Sequence, residues 1–414
     1  MSFERTSSPL SAKSGLPLAA TAVVLGLLSA TSCAFAQGQY KVVDHWKIGG
    51  EGGWDYLTTD SAAHRLYVTH GPRVEVIDTN SGKITGSITG LKGTHGVALD
   101  DSGKLGYISD GGGNAVVVFD RSSLQTVATI PAGGNPDGIV FEPTTKTIWA
   151  FNGRSKDVTV IDTTTQKVIA TIPLPGRPEF PAADGKGAMF VNIEDKNEIV
   201  RLDVATKKIT AQWPLTACDS PSGLAFDAEG RRLFSVCDGK KMAVTDANTG
   251  KHLATATIGE GPDAAGYDPQ HKVAFSSNGD GTLTVVDASG TSYPVVQTVT
   301  TERGARTMAF DEGTGRVYLM TAQFGERPAA TAQNPRPRPA MLPDSSTIVV
   351  VGRERTIERV ESRAKGPAGV YPPVFLSVAV SGVRACKRNG ASGVNAMPRA
   401  HGPESSSSRP RESR

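Results

Sequence analysis

Apolar residues in this chain come in short runs that alternate with polar ones, and the runs are separated by turns of Gly, Asp, Asn, Pro and Thr. Residues 135–171 show the pattern whole. GIVFE is followed by a Pro/Thr turn, then TIWAF, Asn152-Gly153, VTVID closing on Asp162, a polar turn, and KVIATI. Alternation over such short spans predicts strands rather than helices. Four strands in about forty residues predict one blade of a β-propeller.

The unit recurs. An aspartate ends the third predicted strand at Asp78, Asp120, Asp162, Asp203, Asp246 and Asp287, with steps of 42, 42, 41, 43 and 41 residues. A second acidic ladder ends the first strand at Asp60, Asp100, Glu142, Asp184, Asp227, Asp268 and Asp311, which makes seven rungs. In the last repeat the third strand, 347–351, is delayed by a Pro/Ala-rich insertion near 326–343, and no fourth strand follows. An unpaired strand-like piece, 40–47, stands ahead of the first repeat. Joining it to the last blade closes the ring and removes two exposed sheet edges. The sequence therefore predicts an all-β, seven-bladed β-propeller over 37–353, closed by an N-terminal strand.

The two ends differ from the repeats. Residues 1–36 read as a signal peptide: Arg5 and Lys13 precede an apolar run, 16–28, and Ala34-Phe35-Ala36 supplies a small-x-small cleavage pattern. A rival reading anchors a lipoprotein at Cys33, although Ala30-Thr31-Ser32 is a poor lead-in. With the leader removed at Gln37, the mature chain is expected to be periplasmic or secreted and to have no membrane span. Residues 354–414 lack the blade period, end in ESSSSRPRESR, and carry eleven Lys/Arg against five Asp/Glu. That composition predicts a disordered basic, Ser-rich tail, read as a lineage-specific extension or out-of-frame text. The whole-chain net charge of +3 then leaves the propeller about four charges negative. The basic balance belongs to the tail, so nucleic-acid binding is not expected.

Chemistry is sought at one mouth of the ring. Counting five back from each rung of the first-strand ladder gives Asp55, His95, Asp137, Glu179, Ser222, Asp263 and Arg306. The antiparallel second strands end at the same mouth with His70, Asp110, Asn152, Asn192, Cys237, Asn278 and Thr321. The four carboxylates of the first set repel one another when ionised, and a divalent metal would relieve this; Asp137 and Glu179 are the candidate ligands. The donor types suit Ca²⁺, Mg²⁺, Mn²⁺ or Zn²⁺. Arg306 offers an anion anchor and Trp54 an apolar wall for an organic ligand. The competing reading is that these polar residues only bond loop backbone. The ladder aspartates such as Asp162 and Asp203 are expected to cap turns. Cys218 and Cys237 fall in one blade and read either as a disulfide, fitting an exported chain, or as two separate thiols; Cys386 lies in the tail. The chain has no Cys-x-x-Cys-His, Gly-x-Ser-x-Gly, phosphate loop, His-x-His or His-Glu-x-x-His.

The phrases VTVIDTTTQKVIATI, VEVIDTNSGKITGSI and MAVTDANTGKHLATA resemble the YVTN-type propeller repeat. With GGWDYLTTD, FNGRSKDVTVID, FVNIEDKNEIV and FSSNGDGTLTVVD, the chain over about 46–353 resembles the exported YncE-like family. The resemblance implies a secreted or periplasmic seven-bladed propeller of the kind treated as binding proteins. It carries over no catalytic residue, and family chains stop near 349–353. The leading expectation is therefore a non-enzymatic, monomeric propeller that binds a small ligand, metal or partner protein at the funnel mouth. One alternative is a metal-dependent lactonase- or esterase-type hydrolase, with a cation on Glu179, Asn192, Asp137 and Asn152. Another is a redox-partner subunit, which would need a cofactor from its partner.

Overall fold

The computed structural model describes residues 38–353 apart from 327, 330, 332–336 and 338. The expected leader, 1–36, and the tail, 354–414, lie outside the described residues. The chain between them forms seven four-stranded antiparallel sheets. In the first blade Trp54–Asp60 is innermost, followed outward by Arg65–His70, Arg73–Asp78 and Lys83–Ile88. The next five blades repeat this order. In the seventh, Thr307–Asp311, Arg316–Thr321 and Thr347–Arg353 are completed by Tyr40–Lys47, which pairs with Thr347–Arg353 in antiparallel register. Among the described residues the only helical pieces are single 3₁₀ turns, Gly111–Gly113 and Glu194–Lys196. None of these is long and apolar enough to cross a membrane.

Burial follows position within the blade. The second strand of the third blade, Thr147–Asn152, is buried at every residue because adjacent blades cover both its faces. The outermost strand, Lys167–Pro173, is largely exposed. A register shift recurs between third and outer strands in six blades, as at Val160/Ile161 and Val76/Ile77. Such bulges increase twist and make the outer edge a poor template for a further strand.

The apolar core consists of seven clusters, one at each junction between neighbouring blades. At the closing junction Leu57, Leu66 and Val68 of the first blade pack on Tyr318, Met320, Ile348 and Val350 of the seventh, together with Trp46. The first-strand acidic ladder reinforces the junctions: all seven residues are buried. Each accepts hydrogen bonds from amides of the following turn. Four also bind a side chain from the next blade: Arg121 to Asp60, Arg231 to Asp184, Tyr40 to Asp268 and Ser61 to Asp311. The third-strand aspartates cap turns, as expected; Asp162 accepts from the Thr165 amide and hydroxyl at 2.7 and 2.8 Å. In the fifth blade Cys218 and Cys237 form a disulfide with Cα atoms 5.3 Å apart. The two cysteines are 19 residues apart in sequence, and closing such a loop contributes about 3 kcal/mol in the chain-entropy account.

Tyr40 concentrates the closing strand's contribution. It is 5 % exposed, packs edge-on against Phe275 at 5.1 Å and donates its hydroxyl hydrogen to Asp268 at 3.0 Å. Replacing it with alanine leaves a cavity and takes one hydrogen bond from Asp268, which keeps those of His271 Nδ1 and of the Gln270 and His271 amides. We expect Tyr40→Ala to destabilise the protein by about 3–5 kcal/mol in denaturant unfolding. A loss below about 1 kcal/mol would mean that the strand does not close the ring.

Candidate functional site

The first set of mouth residues sits on or just ahead of the innermost strands, and the backbone there is held by buried hydroxyls. Ser109 Oγ donates to the Asp137 carbonyl at 2.5 Å and accepts from the Gly96 amide at 2.8 Å. Thr69 Oγ1 accepts from the Asp55 amide at 3.2 Å and donates to the Tyr56 carbonyl at 3.0 Å. Ser277 Oγ donates to the Arg306 carbonyl.

Asp55, His95 and Asp137, from three consecutive blades, converge so that one donor atom of each lies within 4.8 Å of the others. His95 Nδ1 is 2.7 Å from Asp55 Oδ2 and 3.6 Å from Asp137 Oδ1. Burial pulls the imidazole down, but the Asp55 hydrogen bond, then the Asp137 and Asp55 charges, outweigh it and hold His95 up to about 9. Burial, and next the Asp55 charge, push Asp137 up from the usual carboxylate range. Glu179 stands apart from the triad: Arg177 Nε is 4.0 Å away, and Arg177 is bound to Glu194. Burial, and next a hydrogen bond with Glu194, push the Glu179 carboxyl well up. Asp137 is thus joined by Asp55 and His95 rather than by Glu179. Asp263 lies 3.5 Å from Arg306.

The second set is buried and bonded locally. His70 donates from Nε2 to the Gly52 carbonyl at 3.1 Å and accepts at Nδ1 from Arg73 at 3.0 Å. Asp110 accepts from the Lys92 and Gly93 amides at 2.8 and 2.9 Å. Asn192 donates to the Ser222 and Gly223 carbonyls and accepts from Ser235. Asn152 donates to Asp157 and Thr159, Asn278 to the Ser276 and Thr282 carbonyls, and Thr321 to the Arg303 carbonyl. These groups bond the loops and their neighbours rather than facing an open funnel. Asn152 and Asn192 thus spend their side chains on bonds within the protein.

Two further features stand at the mouth, the first unseen in the sequence and the second foreseen only in Trp54 and Arg306. Tyr56 and Phe180 meet across the axis with ring centroids 4.2 Å apart, from the first and fourth blades. The Tyr56 hydroxyl is buried without a hydrogen-bond partner among the described residues. Burial, then the charges of Asp137, Asp55, Glu179 and Asp263, raise its pKa well above the ordinary tyrosine value. The repeat position they share holds Gly96, Gly138 and Gly223 in three other blades. A Cβ at Gly223 would come within 2.5 Å of Ala265 backbone, so the inner strands pack too closely for a side chain there. Two aromatics against three glycines at one repeat position was the available signal.

The second feature is a cavity of about 470 Å³ to one side of the same mouth, lined by Trp54, Arg303, Arg306, Phe324, Pro339 and Met341 with Gly53, Gly279 and Gly304. The insertion forms one wall. Its base is a short ladder in which the Gly325 amide donates to Ala340 O and the Leu342 amide to Gln323 O, both at 2.8 Å. Phe324 faces Trp54 at 6.4 Å and lies over Gly304, whose φ of +81° and lack of a Cβ admit the ring. Arg303 and Arg306 are exposed beside these apolar surfaces.

No family model and no curated protein matches the chain. Solved structures do. Hydrazine synthase of Kuenenia stuttgartiensis is 17% identical with a TM-score of 0.57, over 64% of this chain and 92% of that one. U3-55K is 10% identical with a TM-score of 0.61, over 75% and 98%. At such identities the likeness establishes the fold, a seven-bladed β-propeller, and nothing finer.

Glu179 yields a pH test. Its pKa is raised in the fold, so its ionisation costs stability as pH rises above the unfolded value of about 4.3, and the cost vanishes where both states are protonated. Glu179→Gln keeps a donor toward Glu194 and removes that cost. We expect the variant to be more stable than the parent by about 1 kcal/mol or more at pH 8, and no more stable at pH 4, in denaturant melts. Equal stability at pH 8 would mean that the carboxyl is not strained by its surroundings.

Proposed function

We propose that this chain is an exported β-propeller of the YVTN repeat type that binds a small organic anion with an aromatic or apolar body at its funnel mouth. The observation that carries the reading is the cavity beside Trp54. Its volume of about 470 Å³ falls within the range of small-molecule sites. It combines two guanidinium groups, Arg303 and Arg306, with the apolar surfaces of Trp54, Phe324, Pro339 and Met341. Guanidinium groups bind carboxylates and sulfonates through paired N–H donors, and an indole face suits a flat apolar body. The repeat phrases quoted above support the family reading. The leader composition and the Cys218–Cys237 disulfide support export, because disulfides persist in oxidising compartments.

Titration with anilinonaphthalene sulfonate, an aromatic sulfonate, tests the reading. Saturable binding of one dye per chain is expected. The pair Arg303→Ala and Arg306→Ala, and separately Trp54→Ala, should each weaken it about tenfold, equivalent to about 1.4 kcal/mol. Cooperative unfolding of each variant serves as the control for dye uptake by loosened protein. Binding that ignores both sets of substitutions would exclude the cavity as the site.

A further inference from the structure

We propose that Asp55, His95 and Asp137 hold a divalent cation of the zinc type, a site separate from the cavity and independent of what the cavity binds. The donor set is two carboxylates and one imidazole, each delivered by the innermost strand of a different blade, with one atom of each within 4.8 Å of the others. Ligand atoms about 2.0–2.2 Å from a tetrahedral zinc stand about 3.3–3.6 Å apart. The separation of His95 Nδ1 from Asp137 Oδ1, 3.6 Å, is already of that size. The separation from Asp55 Oδ2, 2.7 Å, has to open by under about 1 Å.

The second nitrogen of His95 is arranged as a metal-bound imidazole requires. Nε2 faces the Asn135 side chain, and both would collide with a Cβ at Gly111, at 2.6 Å from Nε2 and 2.8 Å from Asn135 Oδ1. A proton held on Nε2 by that amide oxygen leaves Nδ1 with a lone pair directed at the carboxylates. Asn135 is itself fixed: its φ is +56°, and its amide donates to Asn114 Oδ1 at 2.9 Å. Tyr56, next to Asp55 in the chain, adds a further polar group. Its buried hydroxyl has no hydrogen-bond partner among the described residues, and the carboxylates acting on it most strongly are Asp137 and then Asp55. A cation, or water bound to one, would give that hydroxyl a partner. Thr69 and Ser109, both fully buried, pin the backbone of Asp55 and Asp137, so the donors are held in place before any ion arrives.

The competing description is a closed ion pair in which a doubly protonated His95 bonds Asp55 and Asn135 and takes no metal. Cobalt titration of the purified chain, made without a histidine tag and stripped with chelator, separates the two. The expected result is one Co²⁺ per chain with a visible absorption band, displaced by an equivalent of Zn²⁺. His95→Ala and Asp137→Asn should each weaken binding at least tenfold, and the near-isosteric Asp55→Asn should do the same if the alanine variant folds poorly. Asp195→Asn, which removes a carboxylate of the same mouth outside the triad, should bind as the parent does. No saturable binding up to millimolar Co²⁺, or binding indifferent to all three triad substitutions, would overturn the proposal. The dye titration at the cavity is unaffected by either result.

Discussion

Every blade of this protein depends on its two neighbours to cover its faces, and the ring stands only if the last pair of faces meets. The apolar core is accordingly seven separate junctions rather than one centre. The strand Tyr40–Lys47 completes the seventh blade, and Trp46 and Tyr40 carry its apolar contacts to either side. A propeller built this way tolerates great variety at its rims because the rims take no part in the junctions. That is why a chain at 10–17% identity to known propellers still adopts the fold.

The same division of labour explains the mouth. Of two polar residues per blade, the one ending the second strand is drawn into the body. There it bonds backbone, that of its own blade's entry loop for Asp110 and that of the next blade for Asn192. The one opening the innermost strand stays at the funnel. The partners of Asp55, His95 and Asp137 then come from other blades, whereas Glu179 meets Arg177 and Glu194 of its own. Asp55 and Asp137 raise the pKa of His95, while burial and Glu194 raise that of Glu179.

The fold was legible because the blade period repeats; each acidic residue that ends a first strand marks the same turn, and seven marks outweigh any single ambiguous run. The mouth was legible only as polarity. Sequence shows that His70 and His95 are both histidines at the mouth. It does not show that one is bonded to Gly52 and Arg73 while the other faces two carboxylates, because that depends on packing between blades. The convergence of Asp55, His95 and Asp137 was hidden for the same reason: distance around the ring does not follow from spacing along the chain. Of the cavity, Trp54 and Arg306 were legible as wall and anchor, and the opposite wall was hidden for a different reason. Phe324, Pro339 and Met341 belong to an insertion with no repeat equivalent against which to compare them.

The contact of Tyr56 with Phe180 changes how such a ring carries load. Seven blades could in principle shift against their neighbours by small amounts that add up around the circle. A strut between the first and fourth blades forbids that accumulation over half the circumference. A change at Phe180 is then felt beside Asp55 without passing through the second and third blades. The wheel has a spoke, and its stability is no longer a sum of adjacent pairs alone.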